Sequence, residues 1–126
     1  MDAPIRLLLV EDNEVFRDSL EFLLGRRDDI TVVGAIPDGS SAAASYERLG
    51  ADVAVIDFRL PDIDGAAAAA EVRERSPGAG VVFLSASAGD EERNTARLSG
   101  IALIRKDEGV DALVGAVRAA AGREDG

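Results

Sequence analysis

Short apolar runs that fail to alternate with polar residues constrain this chain most. Leu7-Leu8-Leu9-Val10, Val53-Ala54-Val55-Ile56 and Val81-Val82-Phe83-Leu84 are each followed by a longer amphipathic stretch. A strand wet on one face alternates, whereas a strand covered on both faces reads as a continuous apolar run. The runs therefore predict buried strands with helices between them. Ile5 to Val10 is the first strand. A helix from about Asn13 to Leu24 follows, with Phe16, Leu20, Leu23 and Leu24 on one face and Gly25 as its stop. Thr31 to Ala35 is the second strand, and Ser41 to Leu49 a helix ended by Gly50. Val53 to Ile56 and Val81 to Leu84 flank a helix over Ala66 to Arg75, whose five consecutive alanines are strong helix formers. Asp90 to Leu98 is an apolar-poor helix and Ile101 to Ile104 the fifth strand. Val110, Leu113, Val114 and Val117 mark a last amphipathic helix. Alternating strands and helices of this kind call for an α/β fold, a parallel sheet covered on both faces.

Length and composition narrow the function classes. The 126 residues suit one domain, expected over residues 3–122 with a frayed tail at 123–126, and 47% of them are apolar, in the globular range. With 14 Lys and Arg against 24 Asp and Glu, the net charge of −10 argues against direct binding to nucleic acid or an anionic membrane. The chain has no Cys and no His. Disulfides, thiolate nucleophiles, imidazole bases and phosphohistidine are thereby excluded, and any bound metal must be held by oxygen, which favours Mg²⁺, Mn²⁺ or Ca²⁺. No run approaches the ~18 apolar residues of a membrane span, and Met1-Asp2-Ala3-Pro4 lacks the basic start of a signal peptide. A soluble cytoplasmic chain is expected.

Ligands of open parallel sheets bind beyond the carboxyl ends of the strands, where the strand order switches. The residues at those ends are Glu11 and Asp12 after the first strand, Asp57 after the third, Ser85 after the fourth and Lys106 after the fifth. Singly, most have bland readings: Asp12 or Asn13 as a helix cap, Ser85 as a loop serine bonded to its own backbone, Lys106 as a solvated surface group. Asp57 resists such a reading, because it ends an apolar run and no helix begins directly after it. Gathered on one edge, three carboxylates repel one another unless a cation offsets them. A Mg²⁺ with Lys106 supplies +3 against −3.

The stretches Leu8-Leu9-Val10-Glu11-Asp12-Asn13, Asp57 to Gly65, Phe83-Leu84-Ser85-Ala86 and Arg105-Lys106-Asp107 resemble the receiver domains of bacterial two-component response regulators, and the first two strands resemble those of the LuxR/NarL-type transcription regulators. The resemblance covers nearly the whole chain. It implies a flavodoxin-like (βα)5 doubly wound sheet in strand order 2-1-3-4-5. It further implies Asp57 as phosphoacceptor, with Mg²⁺ (or Mn²⁺) held by Glu11, Asp12, Asp57 and the backbone carbonyl of Arg59. Ser85 would donate to the phosphoryl group and Lys106 would pair with it. A sensor histidine kinase would supply the phosphoryl group, a homodimer could form on phosphorylation, and DNA would be reached only through an output domain outside this sequence. The chain would not be a turnover enzyme.

Two departures from the family pattern stand out. Leu103 occupies the position where relatives often carry a Tyr or Phe that reorients on activation, and Gly100-Ile101-Ala102 before it is one residue short. Asp107 stands where many relatives have a cis-proline after the lysine; a cis bond there would cost ~2.5–4 kcal/mol. Among rival readings, an aspartyl phosphatase would need an acid/base Asp where this chain has Arg59. A phosphorylation-independent module would have lost acidic or lysine positions that are present here. An FMN-binding protein would set Glu11 and Asp12 against the flavin phosphate. The apolar-poor helix after Ser85 is expected to shift easily, and with the fifth strand and last helix to form the surface that changes.

Overall fold

The structure is a computed structural model and describes residues 3–87 and 89–123. Its strands are β1 (Ile5–Val10), β2 (Ile30–Ile36), β3 (Val53–Asp57), β4 (Gly80–Ser85) and β5 (Ala102–Arg105). They alternate with α1 (Glu14–Gly25), α2 (Ala42–Leu49), α3 (Gly65–Arg75), α4 (Asp90–Ser99) and α5 (Val110–Ala120). All strand pairs are parallel and the order is β2-β1-β3-β4-β5, the doubly wound, flavodoxin-like arrangement implied by the resemblance.

The absence of alternation within the strands has the expected cause. Leu8, Val10, Ala54, Ile56, Val81 and Phe83 pack toward α2 and α3, while their neighbours Leu7, Leu9, Val53, Val55, Val82 and Leu84 pack toward α1 and α5. Both faces of the sheet are thus buried, and successive residues serve opposite cores. β1 and β3 are adjacent and central, so the order reverses between them. The crevice at the carboxyl ends opens at that reversal.

Several boundaries differ from the sequence expectation. The first helix ends at Gly25 as expected, but without a left-handed glycine cap: Arg26, in helical conformation, caps it by donating to the Leu23 and Leu24 carbonyls. Glycine ends a helix as a left-handed cap only where tertiary contacts let the chain reverse there, as at Gly50 (φ 65°) and Gly100 (φ 69°). Parallel pairing extends β3 and β4 by one polar residue each, with Asp57 opposite Leu84 and Ser85 opposite Arg105. β5 starts at Ala102 rather than Ile101, because the Ile101 N–H donates back to the Ala96 carbonyl to close α4. Every described peptide is trans, Lys106–Asp107 included. Of the expected tail 123–126, residues 124–126 lie outside the described residues; the Arg123 N–H donates to the Arg118 carbonyl at 2.8 Å.

Candidate functional site

β1 delivers the first carboxylate. The Glu11 N–H donates to the Ile36 carbonyl (3.0 Å), carrying the β1–β2 ladder one residue past the strand. The Glu11 side chain is fully buried: Oε2 accepts from the Asn13 N–H (3.0 Å), and Oε1 lies 2.6 Å from Lys106 Nζ. That contact is an ion pair; no hydrogen bond of good geometry reaches Oε1 among the described residues. Asn13, rather than Asp12, caps α1, its Oδ1 accepting from the Phe16 N–H at 2.9 Å. Asp12 is therefore left exposed at the mouth of the crevice. Arg17 reaches back to donate to the Glu11 carbonyl (2.9 Å).

β3 delivers Asp57, 5% exposed. Its Oδ1 accepts from the Arg59 N–H and its Oδ2 from Lys106 Nζ, each at 3.2 Å. The loop behind it is tightly tied. The Phe58 N–H donates to the Leu84 carbonyl (2.7 Å) and the Gly65 N–H to the Phe58 carbonyl (2.8 Å). A Cβ on Gly65 would lie 2.4 Å from the Asp57 carbonyl oxygen and 2.7 Å from Phe58 Cα, so the start of α3 sits against the backbone of Asp57 and Phe58 only because position 65 has no side chain. Asp62 pins the same loop by accepting from the Gly39 (3.1 Å) and Ser40 (2.8 Å) N–H groups. Bonds from Ser40, side chain and backbone, hold the Asp62 carboxyl well below its ordinary range.

Lys106 follows β5 and opens a single 3₁₀ turn (Lys106–Glu108). Its ammonium sits between Glu11 and Asp57 and 4.7 Å from the Phe16 ring centroid, a cation–π contact. Burial opposes its charge, but the contacts with Glu11 and the negative charge of Asp57 outweigh it, so the pKa is raised above the usual lysine value.

Glu11, Asp12 and Asp57 each offer an oxygen, and these oxygens lie within 4.8 Å of one another. A set of this kind can hold a metal ion through oxygen. The structure therefore gathers Glu11, Asp12, Asp57 and Lys106 at one end of the sheet.

Ser85, 2% exposed at the end of β4, is engaged elsewhere. Its hydroxyl bonds the Glu92 carboxylate, lies 2.5 Å from the Ser87 carbonyl oxygen and accepts from the Ser87 N–H at 3.3 Å. Glu92 is a residue that the sequence reading missed. It lies in the first turn of α4, is 3% exposed, and its Oε1 stands 3.2 Å from an Arg59 guanidinium nitrogen. The signal was available in spacing: Ala96, the buried apolar residue of α4, is four positions on, so Glu92 shares its inward stripe.

Comparison with known proteins gives this arrangement a family. The family model of the response regulator receiver domain matches residues 7–118, and the chain belongs to that family. It is 31% identical over 121 residues to the nitrate/nitrite response regulator protein NarL of Escherichia coli (strain K12), covering 94% of this chain and 56% of that one. It is 33% identical over 98 residues to the response regulator protein VraR of Staphylococcus saprophyticus (78% of this chain, 47% of that one). Among solved structures, the signal receiver domain of the putative response regulator NarL from Mycobacterium tuberculosis superposes with a TM-score of 0.88 at 29% identity, covering 96% of this chain and 98% of the other. A protein-glutamate methylesterase of Methanospirillum hungatei matches over 73 residues, only 21% of its length. The chain thus spans from about a fifth to just over half of the curated relatives it matches. Among the described residues, no helix is long and apolar enough to cross a membrane.

Proposed function

We propose that this receiver, over residues 3–122, takes a phosphoryl group from a sensor histidine kinase onto Asp57 and loses it again by slow hydrolysis, without turning over a substrate. The observation that carries the reading is the meeting of Lys106 Nζ with Glu11 Oε1 (2.6 Å) and Asp57 Oδ2 (3.2 Å) beside an exposed Asp12. Three carboxylates face one ammonium there, and the fully buried Glu11 Oε1 has no well-formed hydrogen bond among the described residues. An all-oxygen donor set with uncompensated negative charge fits Mg²⁺, with Mn²⁺ as a substitute. Glu11, Asp12, Asp57 and the Arg59 carbonyl would hold the ion. When bound, it supplies charge neutralisation at the transferring phosphoryl oxygens.

The protein's own groups do the rest. An Asp57 carboxylate oxygen attacks phosphorus as the P–N bond of the donor phosphohistidine breaks; the imidazole nitrogen keeps the electron pair and takes a proton from water. Lys106, held in its charged form by its neighbours, neutralises negative charge on the equatorial oxygens. Ser85 donates to the phosphoryl group once its hydroxyl turns from its present partners. The resulting change runs into α4 and, with β5 and α5, alters a surface used for dimerisation or partner exchange. Leu98 on α4 is 77% exposed and Leu103 on β5 partly buried, which supports a surface able to accept a partner without an aromatic switch. Kinship with NarL-type and VraR-type regulators supports a cytoplasmic role in transcription control, exerted through an output domain that reaches DNA.

Exposure to a small acyl phosphate with Mg²⁺, followed by mass analysis, tests the proposal. One phosphoryl group should appear on Asp57, and both chelation and Asp57→Asn should abolish it. Labelling of Asp57→Asn at the wild-type level would refute the assignment. Unchanged amide exchange over α4, β5 and α5 after labelling would refute the switching surface.

A further inference from the structure

The buried carboxylate of Glu92 has no part in the reaction described above, yet it holds the hydroxyl that reaction requires. Ser85 Oγ carries one proton to donate. The structure already offers it two acceptors, Glu92 Oε2 and the Ser87 carbonyl. A phosphoryl group on Asp57 would be a third, anionic like Glu92. Asp57 and Ser85 end neighbouring strands, with Asp57 in register with Leu84, so the newcomer and Glu92 would compete for the same hydroxyl.

We propose that Glu92 is a positioning residue that withholds Ser85 from the Asp57 site in the resting state, so that phosphorylation must take the hydroxyl from one anion and give it to another. The inference rests on the phosphoacceptor reading of Asp57. Its physical content lies in what Glu92 loses. At 3% exposure, its Oε2 is left without the hydroxyl when Ser85 turns away, and a buried acceptor stripped of its partner is costly. Its remaining partner among the described residues, the Arg59 guanidinium, is 75% exposed and contributes little by itself. The carboxylate is relieved by moving toward water, and it carries the first turn of α4 with it. In that turn Asp90 and Glu91 are already exposed, and Gly89 provides no side-chain cap to resist the motion. Glu92 thus sets the threshold of the switch and also couples the site to α4.

A double-mutant cycle in the intact chain tests this, reading the Kd of beryllofluoride, a phosphoryl mimic, in excess Mg²⁺ by calorimetry. Glu92→Ala should tighten binding by about tenfold, the scale of one hydrogen bond to a charged acceptor. In a Ser85→Ala background the same substitution should change Kd by less than about twofold, because the hydroxyl it releases is absent. Glu92→Gln, which keeps size and an acceptor oxygen, runs through the same cycle should Glu92→Ala unfold; about threefold tightening that vanishes with Ser85→Ala is expected. Equal tightening with and without Ser85 would mean that Glu92 acts only as a distant charge, and would overturn the proposal. So would no tightening at all. Failure of the wild-type chain to bind beryllofluoride would instead remove the phosphoacceptor reading, and the inference with it.

Discussion

Two glycine-to-alanine substitutions should have opposite signs, and the structure alone says which. Alanine is favoured over glycine inside a helix by ~1 kcal/mol. Gly65 and Gly115 both lie in helices, α3 and α5. A Cβ at Gly115 meets nothing within 4 Å, so Gly115→Ala should gain roughly 0.5–1 kcal/mol. At Gly65 the new methyl would stand 2.4 Å from the Asp57 carbonyl oxygen, 2.7 Å from Phe58 Cα and 3.0 Å from the Phe58 carbonyl oxygen. All three neighbours are backbone atoms, which cannot rotate aside as a side chain would. Overpacking costs about 1–3 kcal/mol, and rigid neighbours put this case at the upper end. Gly65 is the first residue of α3, where the interior helix preference for alanine offsets little, so the net loss for Gly65→Ala is at least about 2 kcal/mol. For a chain of this size that lowers Tm by roughly 8 °C, while Gly115→Ala raises it by a few degrees. Thermal unfolding followed by circular dichroism, with both variants in the same buffer, reads the two signs. Because the displaced backbone belongs to Asp57, the proposed acceptor, Gly65→Ala should also slow its labelling by acyl phosphate. A Gly65→Ala variant as stable as the wild type, or more so, would refute the close approach of α3 to the end of β3.

Further outcomes follow from the charges. Mg²⁺ at ten times its Kd should stabilise the wild type by about 1.4 kcal/mol; Asp12→Asn, at an exposed position, should keep basal stability yet lose most of that increment in calorimetric scans with and without chelator. An equal Mg²⁺ increment in Asp12→Asn would remove Asp12 from the proposed metal site. Asp62 has a folded pKa below its ordinary value of 3.8, so its stabilising effect is complete above that value and is lost as pH falls through the folded one. Asp62→Asn should therefore shrink the stability difference between pH 6 and pH 3, as read by urea unfolding. The raised Lys106 acts at the other limit: its contribution is intact below 10.5 and is lost as pH rises through the folded value, so Lys106→Met should flatten the alkaline limb of the same curve.

Much of the architecture was legible because each strand is buried on both faces and so loses its alternation. Leu7 to Val10 and Val81 to Leu84 could hardly be anything else once helical stretches separated them. The candidate site was legible for a related reason: parallel strands put all their carboxyl ends on one edge, so Glu11, Asp12, Asp57, Ser85 and Lys106 could be assigned to that edge from order alone, and the structure gathers all of them but the Ser85 hydroxyl. Caps and stops were less so. Gly25 carries the composition of a helix end but not the conformation, because the Arg26 N–H finds the Leu23 and Leu24 carbonyls without a chain reversal.

What the sequence determined by itself, then, is the alternation of elements, the edge on which the charged residues collect, and the oxygen-only chemistry of a chain without His or Cys. What only the tertiary structure decided is where the hydroxyl of Ser85 is held. That depends on Glu92, seven residues along and on another element, being turned inward by the packing of Ala96 beneath α4. The spacing of Glu92, four before Ala96, hints at an inward stripe, but a charged residue in a helix whose other apolar residue, Leu98, is exposed is shown to be buried only by the fold. Burial, which makes its bond to Ser85 strong and costly to lose, is set by neighbours that meet only when the chain is folded.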